Sequence, residues 1–430
     1  MIPADDRELI DILETATRER IPVTASGSGT GVTGGRVAQG GWTVSLEKFQ
    51  RLEIFPGHAI AGAGVSIHDL QAAAARTGQF YAPDPTERTA SVGGTIATNA
   101  SGSRSFLYGS TRKHVLALRA YRMDGSKLEV RRGDAINFDV EAIPLPQTTK
   151  HNAGYRLQPG MDWIDLLAGS EGTLAMVVEA ELKLLPIPKE LLTGVVFFPT
   201  DRHAIYAVEQ WRALDGLRML EYLDGNSLTL LRQRYPEIPT GARAALMVEQ
   251  TGDDADAWEA RLEQTGAMGE SSWFAIDAQD RERFRRFRHA LPEIVNETVR
   301  RRGFLKLGSD FAVPVERNRE MMGFYHDRLD ELFPGAHVIF GHIGDAHVHV
   351  NLLPASESDV ELGKRLMLEF AARAVELGGT VSAEHGLGKR RAHLLPLQYT
   401  PQQIERMKAV KRHMDPLWLL GRGTLFADLG

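Results

Sequence analysis

Gly27-Ser28-Gly29-Thr30-Gly31-Val32-Thr33-Gly34-Gly35 follows Ile21-Pro22-Val23-Thr24, a short apolar run that reads as a strand. Within it, Gly29-Thr30-Gly31-Val32-Thr33-Gly34 matches the spacing GxGxxG. In a dinucleotide fold that spacing opens a helix directly after a strand, and the helix N-terminus holds the pyrophosphate. Here residues 36–41 add Gly40 and Gly41 and show no helical period, which argues against that fold. A ligand-free turn is one alternative. The reading that best explains the composition is a phosphate loop without a helix. Successive glycine N–H groups form an anion nest, and the missing Cβ atoms let a ligand approach closely. Ser28, Thr30 and Thr33 add hydroxyl donors.

Outward from this loop, Asp5 to Arg20 is patterned as an amphipathic helix, with Leu9, Ile10, Leu13 and Ala16 on one face and Asp5 or Asp6 as cap. Trp42 to Leu46 reads as a strand, and Ser66 to Thr77 as an alanine-rich helix. Tyr81 to Gly109 is dense in Gly, Pro, Ser, Thr and Asn, and long loops of that kind in compact domains are usually functional. Val115 to Met123, Asp124-Gly125 and Lys127 to Val130 predict a hairpin. Val177 to Leu185 is a strand ended by Pro186 and Pro188, and there the first domain boundary is expected.

Beyond it strand and helix patterns alternate. Gly194–Phe198, Leu217–Leu223 and Ala244–Gln250 are strands; His203–Leu214, Asn226–Arg234 and Asp253–Thr265 are helices. Such alternation predicts an α+β domain with helices over one sheet. His337 to Leu353 gives one or two strands, Asp359–Leu377 a long helix, and Gln402–His413 a last helix.

At 430 residues the chain exceeds one ordinary core. A net charge of -6 argues against general nucleic-acid binding. With Cys 0, disulfides, thiolate metal sites and cysteine nucleophiles are excluded. Met1 to Arg20 lacks the apolar core of a signal peptide, and no stretch has the ~20 apolar residues of a membrane span. A cytoplasmic protein is expected; peripheral contact with the inner membrane is compatible with this.

Two C-terminal stretches carry the chemistry: Gly341-His342-Ile343-Gly344-Asp345-Ala346-His347-Val348-His349-Val350-Asn351, and Glu384-His385-Gly386-Leu387-Gly388. Four imidazoles and a carboxylate are ligands that divalent metals such as zinc prefer. His347 and His349 alternate by two, so on a strand they share a face, and the Gly344-Asp345 turn can bring His342 back towards it. His347 reads equally as a further ligand, as a partner of a ligand, or as a solvated side chain. Asp345 reads as shaping its turn or orienting a ligand histidine. The blander alternative is that the imidazoles bond an anionic substrate directly.

Here a family resemblance becomes visible. Val23 to Gly35 with Gly41 and Ser45-Leu46, Pro83-Asp84-Pro85, Ser91-Val92-Gly93-Gly94-Thr95-Ile96-Ala97-Thr98-Asn99-Ala100, Gly102, Tyr108-Gly109 and Gly169-Ser170-Glu171-Gly172-Thr173-Leu174 resemble the vanillyl-alcohol oxidase type of FAD-binding domain. The two C-terminal motifs are similar to those of FAD-linked oxidases and dehydrogenases acting on D-2-hydroxy acids: D-lactate, glycolate and D-2-hydroxyglutarate. The chain departs from the pattern at His347, where Asn is frequent, at Ala346, where Gly is, and at Gly421-Arg422-Gly423-Thr424, where Asn-Pro-Gly-Lys is usual.

The resemblance implies an α+β protein. A two-subdomain FAD-binding domain would span 1–188, and an α+β cap with an antiparallel sheet 189–400. A C-terminal helical segment, 401–430, would pack back on the FAD domain. It implies non-covalent FAD held by Gly27, Ser28, Gly29, Thr30, Gly31, Val32, Thr33, Pro85, Gly93, Gly94, Asn99, Ser101, Gly102, Gly172, Thr173 and Val178. It further implies a divalent metal (zinc, or manganese or iron) on His342, His349 and Glu384. His385 would be the base and Asn351 a substrate contact. Arg288 would receive the substrate carboxylate, with Lys306 a second candidate. Glu171 is expected to organise its turn; His151 and Tyr155 are candidates to approach flavin or substrate. The implied activity is oxidation of a D-2-hydroxy acid, with electrons passed to an external cytochrome, quinone or electron-transfer flavoprotein. A homodimer is compatible with it. Two rivals stand beside it: a flavin-dependent synthase resembling alkyl-dihydroxyacetonephosphate synthase, and a non-enzymatic metal-binding protein.

Overall fold

The computed structural model describes residues 1–252 and 255–426, so the expected helix start at Asp253 lies outside the described residues. The chain forms two compact units. The first comprises Met1–Pro146, His151–Ile187 and the described residues from Val381 on; the second comprises Gln147–Lys150 and Pro188–Thr380.

The first unit opens with the helix Asp6–Glu19, capped by the Asp5 side chain, which accepts from Glu8 N–H. Leu9, Leu13 and Ala16 are its buried stripe, packed on Val23, Val44 and Val178. The strands Val23–Ser26 and Trp42–Ser45 pair in parallel on either side of the glycine run, and no helix forms between them. A five-stranded antiparallel sheet follows, in the order Leu52–Phe55, His58–Gly62, Met176–Lys183, Val115–Tyr121, Lys127–Arg131. The hairpin forms as the Asp124-Gly125 signal predicts. The long polar segment is not wholly irregular: it holds the short helices Val92–Ala97 and Ser105–Tyr108.

The second unit is built on a seven-stranded antiparallel sheet: Trp273–Phe274, Leu191–Phe198, Ala244–Thr251, Leu217–Leu223, His337–Gly341, His349–Leu352, Leu307–Gly308. The helices Gly225–Leu231 and Ala278–Arg301 cover part of it through Leu228, Leu231, Phe284, Phe287, Leu291 and Val295.

Residues 381–400, expected with the second domain, pack in the first unit. Backbone bonds hold them there. Asn152 N–H donates to Ser382 O (2.8 Å), and Lys389 N–H and Arg390 N–H both donate to Thr33 O (3.1 and 3.0 Å). From 401 on the helix Pro401–Met414 leads to a tail whose Gly421 N–H donates to Val23 O (2.8 Å). Among the described residues no helix is long and apolar enough to cross a membrane.

Candidate functional site

In the first unit the glycine loop is open where a ligand needs it. Among the described residues, the backbone N–H groups of Gly29, Thr30, Gly31, Val32 and Thr33 have no protein acceptor. Adjacent N–H groups without acceptors are what an anion nest requires. Ser28 N–H donates to Ser91 Oγ (3.4 Å), which also receives Gly94 N–H (3.3 Å). A Cβ on Gly27 would lie 2.2 Å from that hydroxyl, so this close approach needs glycine. Arg36, which the sequence reading passed over, lies over Gly29 and brings a cation to the loop. These features fit a pyrophosphate.

The rest of the expected cofactor set divides. Gly93 N–H is tied to Ala63 O (2.9 Å), and Gly102 backs onto the backbone of Asp84 and Pro85. Asn99, at φ 47°, bonds the Asn152 side chain and receives Arg112 N–H. Beside Gly172, the Thr173 hydroxyl pairs with Tyr155 (2.5 Å). Val178 stands apart: its side chain is in the core, and its carbonyl receives Ala63 N–H. Ser101 turns its hydroxyl to Glu384 Oε1 (2.6 Å).

The Glu384-His385 turn is held against the glycine loop. Thr33 Oγ1 donates to His385 O (3.4 Å), and the Glu171 carboxylate accepts Leu387 N–H (2.9 Å) and Gly388 N–H (2.7 Å). Asn152 fixes Glu384 from the other side by donating to its carbonyl (2.8 Å). His385 is half-buried. His151 lies 2.7 Å from the Tyr399 hydroxyl. Burial, then the charges of Arg112 and Arg156, push its imidazole down to about 3.

In the second unit the three histidines of the first motif converge. One nitrogen from each of His342, His347 and His349 lies within 4.8 Å of the others. Ring centroids are 4.6 to 5.6 Å apart. The turn forms as a single 3₁₀ turn, Ile343–Asp345, closed by Ala346 at φ 50°. Only His349 sits in the strand; His347 makes an isolated bridge to Ala312. His347 is 0% exposed, which removes the solvated alternative. Neither of its ring nitrogens makes a hydrogen bond, although Nε2 is 3.2 Å from Asp310 Oδ1. Buried imidazole nitrogens lacking hydrogen bonds, grouped with two more imidazoles, fit a divalent cation.

Asp345 does not orient a histidine. Its carboxylate pairs with buried Lys150 (3.1 Å), and its N–H closes the turn on His342 O (2.9 Å). Glu221 brings a carboxylate to His342, with Oε1 2.6 Å from Nδ1. Arg288 donates Nε–H (3.0 Å) and Nη2–H (2.8 Å) to the other oxygen of Glu221. Burial pushes Glu221 up, but Arg288 and His342 outweigh it and hold the carboxyl well below the usual range. His349 Nδ1 lies 3.2 Å from Ser309 O. Asn351 is buried next to His349 O, and Lys306 is exposed. The sequence reading missed Glu221. The available signal was a lone carboxylate in an otherwise apolar stretch, Met219-Leu220-Glu221-Tyr222-Leu223.

Comparisons with known proteins agree across the chain. A family model described as FAD binding domain matches residues 1–131, and one described as FAD linked oxidases, C-terminal domain, matches residues 187–425. A D-lactate dehydrogenase of Archaeoglobus fulgidus is 31% identical, over 99% of this chain and 91% of its own length. The glycolate oxidase subunit GlcD of Bacillus subtilis is 30% identical, over 99% and 88%. A D-2-hydroxyglutarate dehydrogenase of Xanthomonas citri pv. viticola is 28% identical, over 99% and 88%. A solved alkyldihydroxyacetonephosphate synthase superposes with a TM-score of 0.71 over 98% of this chain and 75% of that one. At 16% identity that likeness is one of fold alone.

Proposed function

The chain belongs to the FAD-linked oxidases, and from that premise we propose that it oxidises a D-2-hydroxy acid of the lactate, glycolate or 2-hydroxyglutarate class to the 2-oxo acid. The observation that carries this reading is the bonding of the Glu384-His385 turn to the glycine loop through Thr33. It ties the backbone of His385 to a loop fitted to the cofactor's pyrophosphate.

In this reading FAD is bound non-covalently by the Gly27–Thr33 loop and the segments around Gly93, Asn99 and Gly172. His342, His349 and Glu384 hold a divalent metal, Glu384 being assigned from the family likeness. The hydrogen-bond-free nitrogens of His347 support adding it as a ligand. Zinc suits this nitrogen-rich set, with manganese or iron as alternatives. When bound, FAD accepts the hydride from C2 and the cation polarises the hydroxyl and carboxylate oxygens of the substrate. His385 takes the hydroxyl proton, a task for which an imidazole is suited near neutral pH. The O–H electron pair becomes the second bond of the carbonyl, and the C2–H bond leaves with both its electrons. Asn351 contacts the substrate, and Arg288 and Lys306 are the cations for its carboxylate. Two electrons then pass to an external acceptor, a cytochrome, quinone or electron-transfer flavoprotein.

The test is anaerobic. Purified protein is mixed with D- and L-lactate, glycolate and D-2-hydroxyglutarate, with and without chelator, while the flavin absorbance is followed. Bleaching by one D-acid or glycolate that is lost with chelator is the expected result. A colourless protein favours the non-enzymatic rival, and a flavin that no hydroxy acid bleaches refutes the activity.

A further inference from the structure

Glu221 lies in the strand Leu217–Leu223, every residue of which is buried. A carboxylate there costs several kcal/mol in lost hydration unless both its oxygens are matched. Both are. Oε2 receives two N–H groups from Arg288, on the helix Ala278–Arg301, and Oε1 faces His342 Nδ1. The sheet sets this meeting. Tyr222 pairs with Gly341 across adjacent strands, so the residues next to them, Glu221 and His342, come to the same place. An ion pair serving only to staple helix to sheet would need just the Arg288 half of this arrangement.

We infer that Glu221 is a positioning residue for the histidine cluster: it takes the Nδ1–H of His342, fixes the tautomer and ring orientation, and so presents Nε2 as the ligand nitrogen. This rests on the metal reading proposed above. Imidazoles that ligate metals commonly give their other N–H to a carboxylate, and the partner both orients the ring and raises its basicity. Here the partner is itself held in place, since two Arg288 N–H groups hold its Oε2 while Oε1 faces His342. His349 uses a lesser version of the device, its Nδ1 lying 3.2 Å from Ser309 O. Arg288 therefore bears on the site in two ways: as a candidate cation for substrate, and as the clamp on Glu221. Glu221 spends Oε2 on Arg288 and Oε1 on His342 Nδ1, which suits a supporting role.

The experiment measures metal affinity rather than turnover. Metal-free holoflavoprotein is titrated with Zn²⁺ against a chromophoric chelator, for the wild-type chain, His342→Ala, Glu221→Ala, Glu221→Gln and the double variant Glu221→Leu with Arg288→Met. Thermal melting checks each fold. Glu221→Ala should bind Zn²⁺ about 10–100-fold more weakly. Glu221→Gln has one oxygen for two sets of donors, Arg288 and His342 Nδ1–H, so its affinity should fall between those of wild type and Glu221→Ala. The double variant removes the buried carboxylate together with its partly buried partner, so no charge is left unmatched, yet it should lose affinity as Glu221→Ala does. Wild-type affinity in the double variant, alongside lost affinity in His342→Ala, overturns this inference alone. Equal binding, or none, in wild type and His342→Ala overturns the metal reading and this inference with it.

Discussion

Ser101 donates its hydroxyl to Glu384 Oε1 at 2.6 Å, both side chains buried, across 283 positions of sequence. One residue expected to serve the cofactor is thereby joined to one expected to serve a metal. A donor on one oxygen of a carboxylate fixes the orientation of the whole group. Ser101→Ala should accordingly leave flavin content per chain unchanged while lowering the rate of flavin reduction about 10–100-fold. Flavin absorbance and stopped-flow reduction measure the two. Loss of flavin with unchanged chemistry in the retained fraction would return Ser101 to the cofactor.

Glu171 fastens the turn that carries His385 by two charge-assisted bonds, and its carboxylate fills the space beside Gly386. A Cβ there would stand 2.6 Å from the Glu171 carboxylate carbon, on a backbone at φ 72°. Gly386→Ala is therefore strained twice over and should lower stability by about 1–3 kcal/mol. Glu171→Gln keeps one acceptor but no charge; its melting loss should be smaller and its turnover loss clear. A melting point for Gly386→Ala equal to wild type would show that the turn gives way freely.

The sequence made some of this legible and hid the rest for reasons that can be named. The glycine run was readable because two further glycines exclude a helix, and the strands Trp42–Ser45 and Leu217–Leu223 because their apolar runs are local. The helix Ala278–Arg301 is obscured by its arginines, although Phe284, Phe287, Leu291, Ile294 and Val295 form its buried face. Glu221 was invisible in its role because the pairing is nonlocal: 121 positions separate it from His342, and only the sheet register joins them. Asp345 attracted that role by lying next to the histidines in sequence, while Lys150 engages it in space.

His385→Gln tests the base. The change keeps a polar side chain of similar reach but removes the proton acceptor, so the half-reaction should slow by about 10²–10⁴-fold. Flavin should remain bound, because the loop contacts run through the His385 carbonyl and the N–H groups of Lys389 and Arg390, which the substitution keeps. A pH–rate profile separates the roles: wild type should lose activity on the acid side as an imidazole protonates, and the variant should be flat there. Wild-type reduction rates in the variant would remove His385 from the chemistry.

The last prediction concerns acid stability and His151. Its folded imidazole is held down to about 3 by burial and by Arg112 and Arg156, against 6.5 for the ordinary group. Above pH 6.5 the ring is neutral in both folded and unfolded chains and contributes no pH dependence. Below it the unfolded chain takes a proton that the folded one refuses, so stability falls as pH drops from 6.5 towards 3. The slope is at most about 1.4 kcal/mol per pH unit, and water reaching the partly exposed ring reduces it. His151→Gln removes this proton while leaving a side chain that can meet the Tyr399 hydroxyl, 2.7 Å away in the native pair. Acid-titrating carboxylates elsewhere act on both proteins alike, so the difference in melting temperature isolates His151. The variant should melt below wild type at pH 7.5 and close that gap as pH is lowered to 5; parallel curves would mean that the ring takes up its proton in the folded chain as readily as in the unfolded one.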